Sequence, residues 1–241
     1  MKLSSWDKDS LSMERYSLDP ELLSLELFYE LTRSKKMIPS RVMLHEDMER
    51  YFGALEAKGI KNLKELISML GNKDKIREMA ASTEIPEAYL ILLKREAGSY
   101  LSKPIPLSDF PGIPLEYTEV LKSRGIRNTR EFFESLQSGE QRKQMAKLTG
   151  IPEDRLGELF VLCELSRITG VGGYYARIVY EAGIRSVQDF AGTDVATHQK
   201  KYLEILHKRN YPIKTLGEED LQYCIDYASL LAKFKLNSDH L

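Results

Sequence analysis

The chain has 241 residues, which is enough for one large domain or for a few small ones. Its 42% hydrophobic and 29% charged residues are typical of a folded, water-soluble protein and exclude a largely disordered one. The 35 Lys and Arg side chains nearly balance the 36 Asp and Glu side chains, giving a formal net charge of −1. This balance argues against a high-affinity coat protein for nucleic acid, because such proteins need a basic excess, but it leaves room for a local basic face.

The same sequence gives no indication of membrane insertion or of catalysis. No apolar run approaches the ~18 residues that span a bilayer, and we expect a cytoplasmic protein without membrane contact. Cys163 and Cys224 lie among apolar neighbours, which favours buried thiols. No His, Cys or acidic residues have metal-ligand spacing, and no nucleotide-binding or nucleophile motif occurs. The sequence therefore predicts no metal, no cofactor and no catalytic residue.

Helical periodicity dominates the chain and predicts an all-α fold. A first helix is predicted to start at Asp19-Pro20-Glu21, where a capping residue, a first-turn proline and an acid follow one another. Its apolar face runs through Leu31, and the helix should end before Pro39. We interpret residues 1–38 as an N-terminal arm with one amphipathic helix.

Three later segments share one pattern, in which a Gly-Ile pair is followed by a capped helix. The glycine suits the left-handed conformation just past a helix, and the isoleucine fills the junction between two helices. The pairs are Gly59-Ile60, Gly125-Ile126 and Gly183-Ile184. The predicted caps of the next helices are Asn62, Asn128 and Ser186, and the acids of variant capping boxes are Glu65, Glu131 and Asp189.

The spacing of these landmarks indicates duplication. Gly125 follows Gly59 by 66 residues, and Ile151 follows Ile85 by the same number. Both isoleucines directly precede a helix that is predicted to start with proline. The spacing between the second and third segments is shorter: Gly183 follows Gly125 by 58 residues. A closing helix is predicted after it, from Gly217 to Phe234.

The sharpest motif is Gly170-Val171-Gly172, which precedes a small Ala176. Glycines on both sides of one apolar residue permit a tight turn between two helices, and the alanine permits close packing of the second helix. Such a turn also leaves backbone N–H groups at a helix N-terminus, where anions bind. The alternative interpretation is equally open: the glycines only shape the turn, and the N–H groups contact water.

This segment resembles the helix-hairpin-helix family, including the tandem domains of the RuvA type. Residues of roughly 40–234 also look like an uncharacterised bacterial family of tandem helix-hairpin-helix domains. The resemblance implies that the amides of Gly170, Val171 and Gly172 hold DNA phosphates without reading bases. It also implies a fold of tandem degenerate repeats behind the arm, and the predicted copies are residues 39–103, 104–165 and 166–241.

The other two copies depart from the family pattern. The hairpin of the second copy is Gly112-Ile113-Pro114, and its proline has no N–H to donate. In the first copy, Glu46-Asp47-Met48 stands at the matching position and has two acids that would repel phosphate. Only the third hairpin is intact, and Tyr174 and Tyr175 follow it instead of a basic residue.

Two functions remain open at this point. The first is a non-enzymatic, sequence-independent module that binds DNA or RNA through Gly170–Gly172, assisted by Arg167, Arg177 and Arg185. The alternative is a helical scaffold for another protein, favoured by the balanced charge and by the two eroded hairpins. The basic run His198–Lys201 is interpreted as a solvated helix face. The sequence leaves the oligomeric state open.

Overall fold

The computed structural model of the protein describes residues 14–37 and 39–238. Within these residues the secondary structure is helical, apart from turns and two isolated β-bridges. The α-helices are α1 (Leu25–Ser34), α2 (Met48–Ala57), α3 (Leu63–Met69), α4 (Lys73–Thr83), α5 (Glu87–Ser99), α6 (Leu115–Ser123), α7 (Thr129–Ser135), α8 (Gly139–Thr149), α9 (Glu153–Leu165), α10 (Gly173–Glu181), α11 (Val187–Ala191), α12 (Val195–Arg209) and α13 (Glu218–Ser238). Short 3-10 helices cover Pro39–His45 and Leu107–Asp109. The prediction of an all-α fold is confirmed.

The chain forms two compact units, which we call the N-terminal unit (residues 17–101) and the C-terminal unit (residues 14–16 and 102–238 of the described chain). These limits differ from the predicted boundary at residue 38. Helix α1, the helix of the predicted N-terminal arm, packs against α2 and α3 inside the N-terminal unit. Residues 14–16, by contrast, belong to the C-terminal unit.

Helix α1 also begins later than predicted. Residues 20–22 form a turn, and the helix starts at Leu25 after Ser24, whose side chain accepts a hydrogen bond from the Leu27 N–H. The sequence favoured an earlier start because Asp19-Pro20-Glu21 has the composition of a first helical turn. Ser24 is instead held in an extended conformation by a β-bridge to Asn62, and this contact is not visible in the local sequence.

The core of the N-terminal unit contains apolar side chains from all five of its α-helices and one buried carboxylate. Glu96 on α5 is fully buried and accepts hydrogen bonds from Lys35, at 2.6 Å, and from Arg41. Two cations therefore compensate the cost of removing this carboxylate from water.

The C-terminal unit is organised around α9 and α13. Helix α9 packs against α7, α8 and α10, while α13 packs against α11 and α12. The predicted closing helix is thus confirmed as α13. Cys163 on α9 and Cys224 on α13 are both buried among apolar residues, as predicted.

The three predicted caps are confirmed. Each cap side chain accepts a hydrogen bond, at 3.0 Å, from the backbone N–H of the acid three residues later; the caps are Asn62, Asn128 and Ser186. The acids differ from a capping box, because each carboxylate accepts from the N–H of the residue before the cap instead of the cap itself. These bonds join Glu65 to Lys61 (2.7 Å), Glu131 to Arg127 (2.6 Å) and Asp189 to Arg185 (3.2 Å).

In the described part of the chain, no helix is both long enough and apolar enough to cross a bilayer.

Candidate functional site

The third hairpin has the backbone that its glycines permit. Gly170 has φ +93°, in the left-handed region, and the Val171 N–H donates to the Ile168 carbonyl at 2.9 Å. Gly172 is the cap residue of α10 and is exposed, while Ala176 is completely buried. The small alanine therefore lies inside the helix packing, as the motif predicted.

The second hairpin repeats this backbone. Gly112 has φ +80°, the Ile113 N–H donates to the Phe110 carbonyl at 3.3 Å, and Pro114 is the cap residue of α6. The first copy differs, because the left-handed residue before α2 is Asp47, with φ +44°. The second hairpin thus keeps the turn geometry of the third and lacks its exposed glycine N–H.

The third hairpin is packed against two neighbouring segments. A Cβ atom added to Gly170 would lie 3.0 Å from Sγ of Cys224 on α13, and that thiol donates to the Thr169 carbonyl at 3.5 Å. Burial raises the pKa of the Cys224 thiol to about 12, with a smaller contribution from Asp220. On the other side, Gly173 abuts the backbone carbonyl of Asp109. Neutral protein groups thus cover both flanks of the hairpin.

Arg167 is buried and holds the segment 14–16 in place. Its guanidinium donates to the Tyr16 carbonyl at 2.9 Å and to the Arg15 carbonyl at 3.1 Å, and it pairs with Glu14 at 2.5 Å. It also lies over the ring of Phe133, 4.4 Å from the ring centroid. The structure therefore places this predicted phosphate-binding residue in an internal contact.

Arg177 is also buried, and it holds the second hairpin. Its Nε donates to the Pro111 carbonyl at 2.7 Å, and its Nη1 pairs with Glu158 of α9. The same carboxylate pairs with Arg155, whose Nη2 donates to the Gly112 carbonyl at 2.7 Å. We call Arg155, Glu158 and Arg177 the hairpin clamp. Arg177, which the sequence assigned to a nucleic-acid contact, is thus bound within the protein.

The clamp leaves one donor without an acceptor. Nη2 of Arg177 is buried and has no hydrogen-bond partner. The group lies beside Gly112, 3.5 Å from the position that a Cβ would take there. Two guanidinium groups share a single carboxylate at this point, so the clamp depends strongly on Glu158.

Arg185 is the exposed cation of the predicted set. Its guanidinium lies over the ring of Tyr180, 4.0 Å from the centroid, and Nη1 donates to the Tyr180 and Ile184 carbonyls. The structure thus does not bring the three arginines together on one surface. Gly170, Gly172 and Arg185 are exposed, whereas Val171, Arg167 and Arg177 are buried.

Four residues of this region were not predicted from the sequence. Gly173 had a signal, since it is the third glycine of the run 170–173. The remaining three, whose partners lie far along the chain, had none: Asp109, Arg155 and Glu158.

His198 was also interpreted wrongly as part of a solvated face, since it is buried between α10, α11 and α12. Its Nε2 is 3.0 Å from the Tyr175 hydroxyl, and its ring contacts Phe190. Nδ1 is buried without a partner. Burial, with a smaller contribution from the nearby Lys201, lowers the pKa of His198 to about 4. The imidazole is therefore neutral at physiological pH.

Comparison with known proteins shows a similarity to one family of unknown function. The chain has no significant match among curated proteins or among solved structures. A family match covers just under half of the chain, including the second hairpin, the clamp and the third hairpin. Residues 111–228 match the family described as Domain of unknown function (DUF4332).

Proposed function

We propose that the chain is a non-enzymatic helical scaffold that binds another protein in the cytoplasm. The observation that carries this proposal is the hairpin clamp, in which Arg177 and Arg155 donate to the carbonyls of residues 111 and 112 and Glu158 pairs with both arginines. Polar groups that could contact a phosphate backbone are used here to join helices.

The two hairpins support the same proposal. Their shared geometry, with Gly112 and Gly170 left-handed and the next residue buried, supports the resemblance to tandem helix-hairpin-helix domains. Pro114 retains the packing function of the turn and removes the phosphate-binding N–H. A formal net charge of −1 supplies little long-range attraction for a polyanion.

The test is affinity capture by the full chain, followed by crosslinking and identification of the bound protein. We expect a defined protein partner that remains bound after nuclease treatment and at high salt. Light scattering on the purified chain reports self-association in parallel. A monomer that captures no protein under either condition would contradict the scaffold proposal.

A second candidate function is weak, sequence-independent binding of DNA or RNA by the third hairpin. One observation favours it: Gly172 is exposed at the N-terminus of α10, and no side chain caps that end. Arg185 is the exposed cation of the predicted set and would supply a phosphate contact.

The second candidate is tested by fluorescence anisotropy with labelled duplex and single strands at low salt. Gly172→Pro removes the hairpin N–H and is tolerated by the fold, because Pro114 occupies the matching position of the second hairpin. Nucleic-acid binding would replace the scaffold as the proposed function if Gly172→Pro and Arg185→Glu lose binding. The control Lys73→Glu, at a distant exposed position, should then bind like the unchanged chain. Equal binding by the unchanged chain and all three variants, or no binding by any of them, excludes this site.

A further inference from the structure

A short extended segment lies at the start of each capped helix. It consists of the cap residue and its two neighbours, and we call it the edge. In the N-terminal unit, the Leu63 N–H donates to the Leu23 carbonyl at 2.9 Å, and the Leu25 N–H donates to the Lys61 carbonyl at 2.8 Å. These two bonds flank the β-bridge between Ser24 and Asn62. Residues 23–25 thus lie along residues 61–63 as a minimal antiparallel pair.

The C-terminal unit repeats this pair at the second copy. The Thr129 N–H donates to the Ile105 carbonyl at 3.0 Å, and the Leu107 N–H donates to the Arg127 carbonyl at 3.4 Å. The paired segments are Leu-Ser-Leu in one case and Ile-Pro-Leu in the other. Their common pattern is an apolar residue, any residue, and leucine, and the proline shows that the central position needs no N–H.

In the third copy, no segment of residues 14–37 or 39–238 pairs with the edge. Ser186 has the same extended conformation as the other two caps, with φ −148° and ψ 164°. The Val187 N–H, which corresponds to that of Leu63 and Thr129, donates instead to Oε1 of Glu164 at 3.2 Å. No hydrogen bond from a residue of the described chain reaches the Arg185 carbonyl. A side chain of α9 therefore occupies one bonding position of the edge.

A cavity adjoins this edge. It has a volume of about 180 Å³ and is lined by Glu164, Ser186 and Val187 on the edge side and by Leu231 of α13. Glu14 also lines it, and its carboxylate pairs with Arg167. The size fits one aliphatic side chain, and the Glu164 carboxylate beside the edge favours an occupant with a cationic neighbour.

We propose that residues 185–187 bind an extended peptide of a partner protein, with the pattern apolar-any-leucine and a flanking Lys or Arg. The peptide carbonyl takes the Val187 N–H from Glu164, and the peptide N–H two residues later donates to the Arg185 carbonyl. An apolar peptide side chain enters the cavity, and the displaced Glu164 carboxylate pairs with the flanking cation. This inference rests on the proposed scaffold function and names the partner's chemistry.

The probe is the labelled hexapeptide Lys-Pro-Ile-Pro-Leu-Ser, which copies residues 103–108. We expect saturable binding to the full chain in an anisotropy titration. A peptide with alanine at both apolar positions should bind at least tenfold more weakly, and so should one with Glu replacing Lys.

Variants of the chain locate the site. Val187→Pro removes the edge N–H at the first position of α11, where proline is compatible with a helix, and should weaken binding at least tenfold. Val195→Pro makes the same change at the first position of α12, away from the cavity, and should bind like the unchanged chain. Glu164→Gln should abolish the preference for the Lys-flanked peptide over the Glu-flanked one.

Hydrogen exchange on the unchanged chain gives a readout that needs no variant, because the Val187 N–H should become more protected when peptide is added. No saturable binding, or equal loss in Val187→Pro and Val195→Pro with unchanged protection of Val187, overturns the peptide site. If the chain captures a protein but not the peptide, the scaffold proposal stands and this inference fails. If it captures neither, both fail.

Discussion

At the scale of single residues, Gly173 is fixed by the backbone that lies against it. A Cβ at this position would overlap the Asp109 carbonyl, with the carbonyl carbon only 2.7 Å away. Because the obstacle is backbone, it cannot rotate aside as a flexible side chain can. We expect Gly173→Ala to lower the free energy of unfolding by about 2 kcal/mol, measured by urea denaturation.

The matched control is Gly157, which lies inside α9 with open space around its missing Cβ. Gly157→Ala should raise the free energy of unfolding by about 0.5–1 kcal/mol, because alanine is the better helix former. Similar effects of the two substitutions would show that the contact between Gly173 and Asp109 is not tight.

Glu158 is the second residue whose loss should be costly. Glu158→Gln removes the charge shared by Arg155 and Arg177 and leaves the buried Arg177 guanidinium without its counter-charge. We expect a loss of about 3 kcal/mol in the free energy of unfolding. Glu119→Gln, which breaks an exposed pair with Lys122, should change it by less than about 0.5 kcal/mol. Equal losses in the two variants would contradict a structural role for the clamp.

These residues show what the sequence can and cannot predict at this scale. The caps Asn62 and Asn128 were predictable, because a cap bonds to a residue three positions away. The burial of Arg177 was not, because it follows from the packing of α10 against α9 and against the second hairpin. Burial could not be predicted from the sequence where a side chain's surroundings depend on residues more than a dozen positions distant.

At the scale of elements, His198 joins α12 to α10 and α11 and makes their packing sensitive to acid. Its pKa is lowered to about 4 by burial, against an ordinary value near 6.5 in the unfolded chain. The unfolded state therefore gains a proton first as the pH falls, and stability is lost between about pH 6.5 and pH 4. The expected loss is about 3 kcal/mol at pH 4 relative to pH 7.

The measurement is a series of urea transitions across this pH range. In His198→Phe, the part of the loss between pH 6.5 and pH 4 that belongs to this imidazole should vanish, although removal of the hydrogen bond to Tyr175 lowers stability at every pH. An unchanged pH dependence in His198→Phe would assign the acid sensitivity to other groups.

The same scale explains why α1 was misplaced. Its amphipathic face was visible in the sequence, and a helix in this region was correctly expected. Its position within the N-terminal unit depends on the pairing of residues 23–25 with residues 61–63, and two hydrogen bonds between distant segments leave no periodic signal. The repeat spacing predicted the cap residue of this edge, but it did not predict that residues 23–25 pair with it.

At the scale of the whole molecule, the division into two units predicts that residues 17–101 fold alone. This fragment contains its own apolar core and both cations that compensate the buried Glu96, and its chain is continuous. We expect the isolated fragment to show a helical circular dichroism spectrum and one cooperative thermal transition. Glu96→Gln in the same fragment should lower the midpoint, because Lys35 and Arg41 then lose their shared carboxylate. A fragment without helical signal, or one that melts without cooperativity, would mean that the core of this unit is not sufficient for folding.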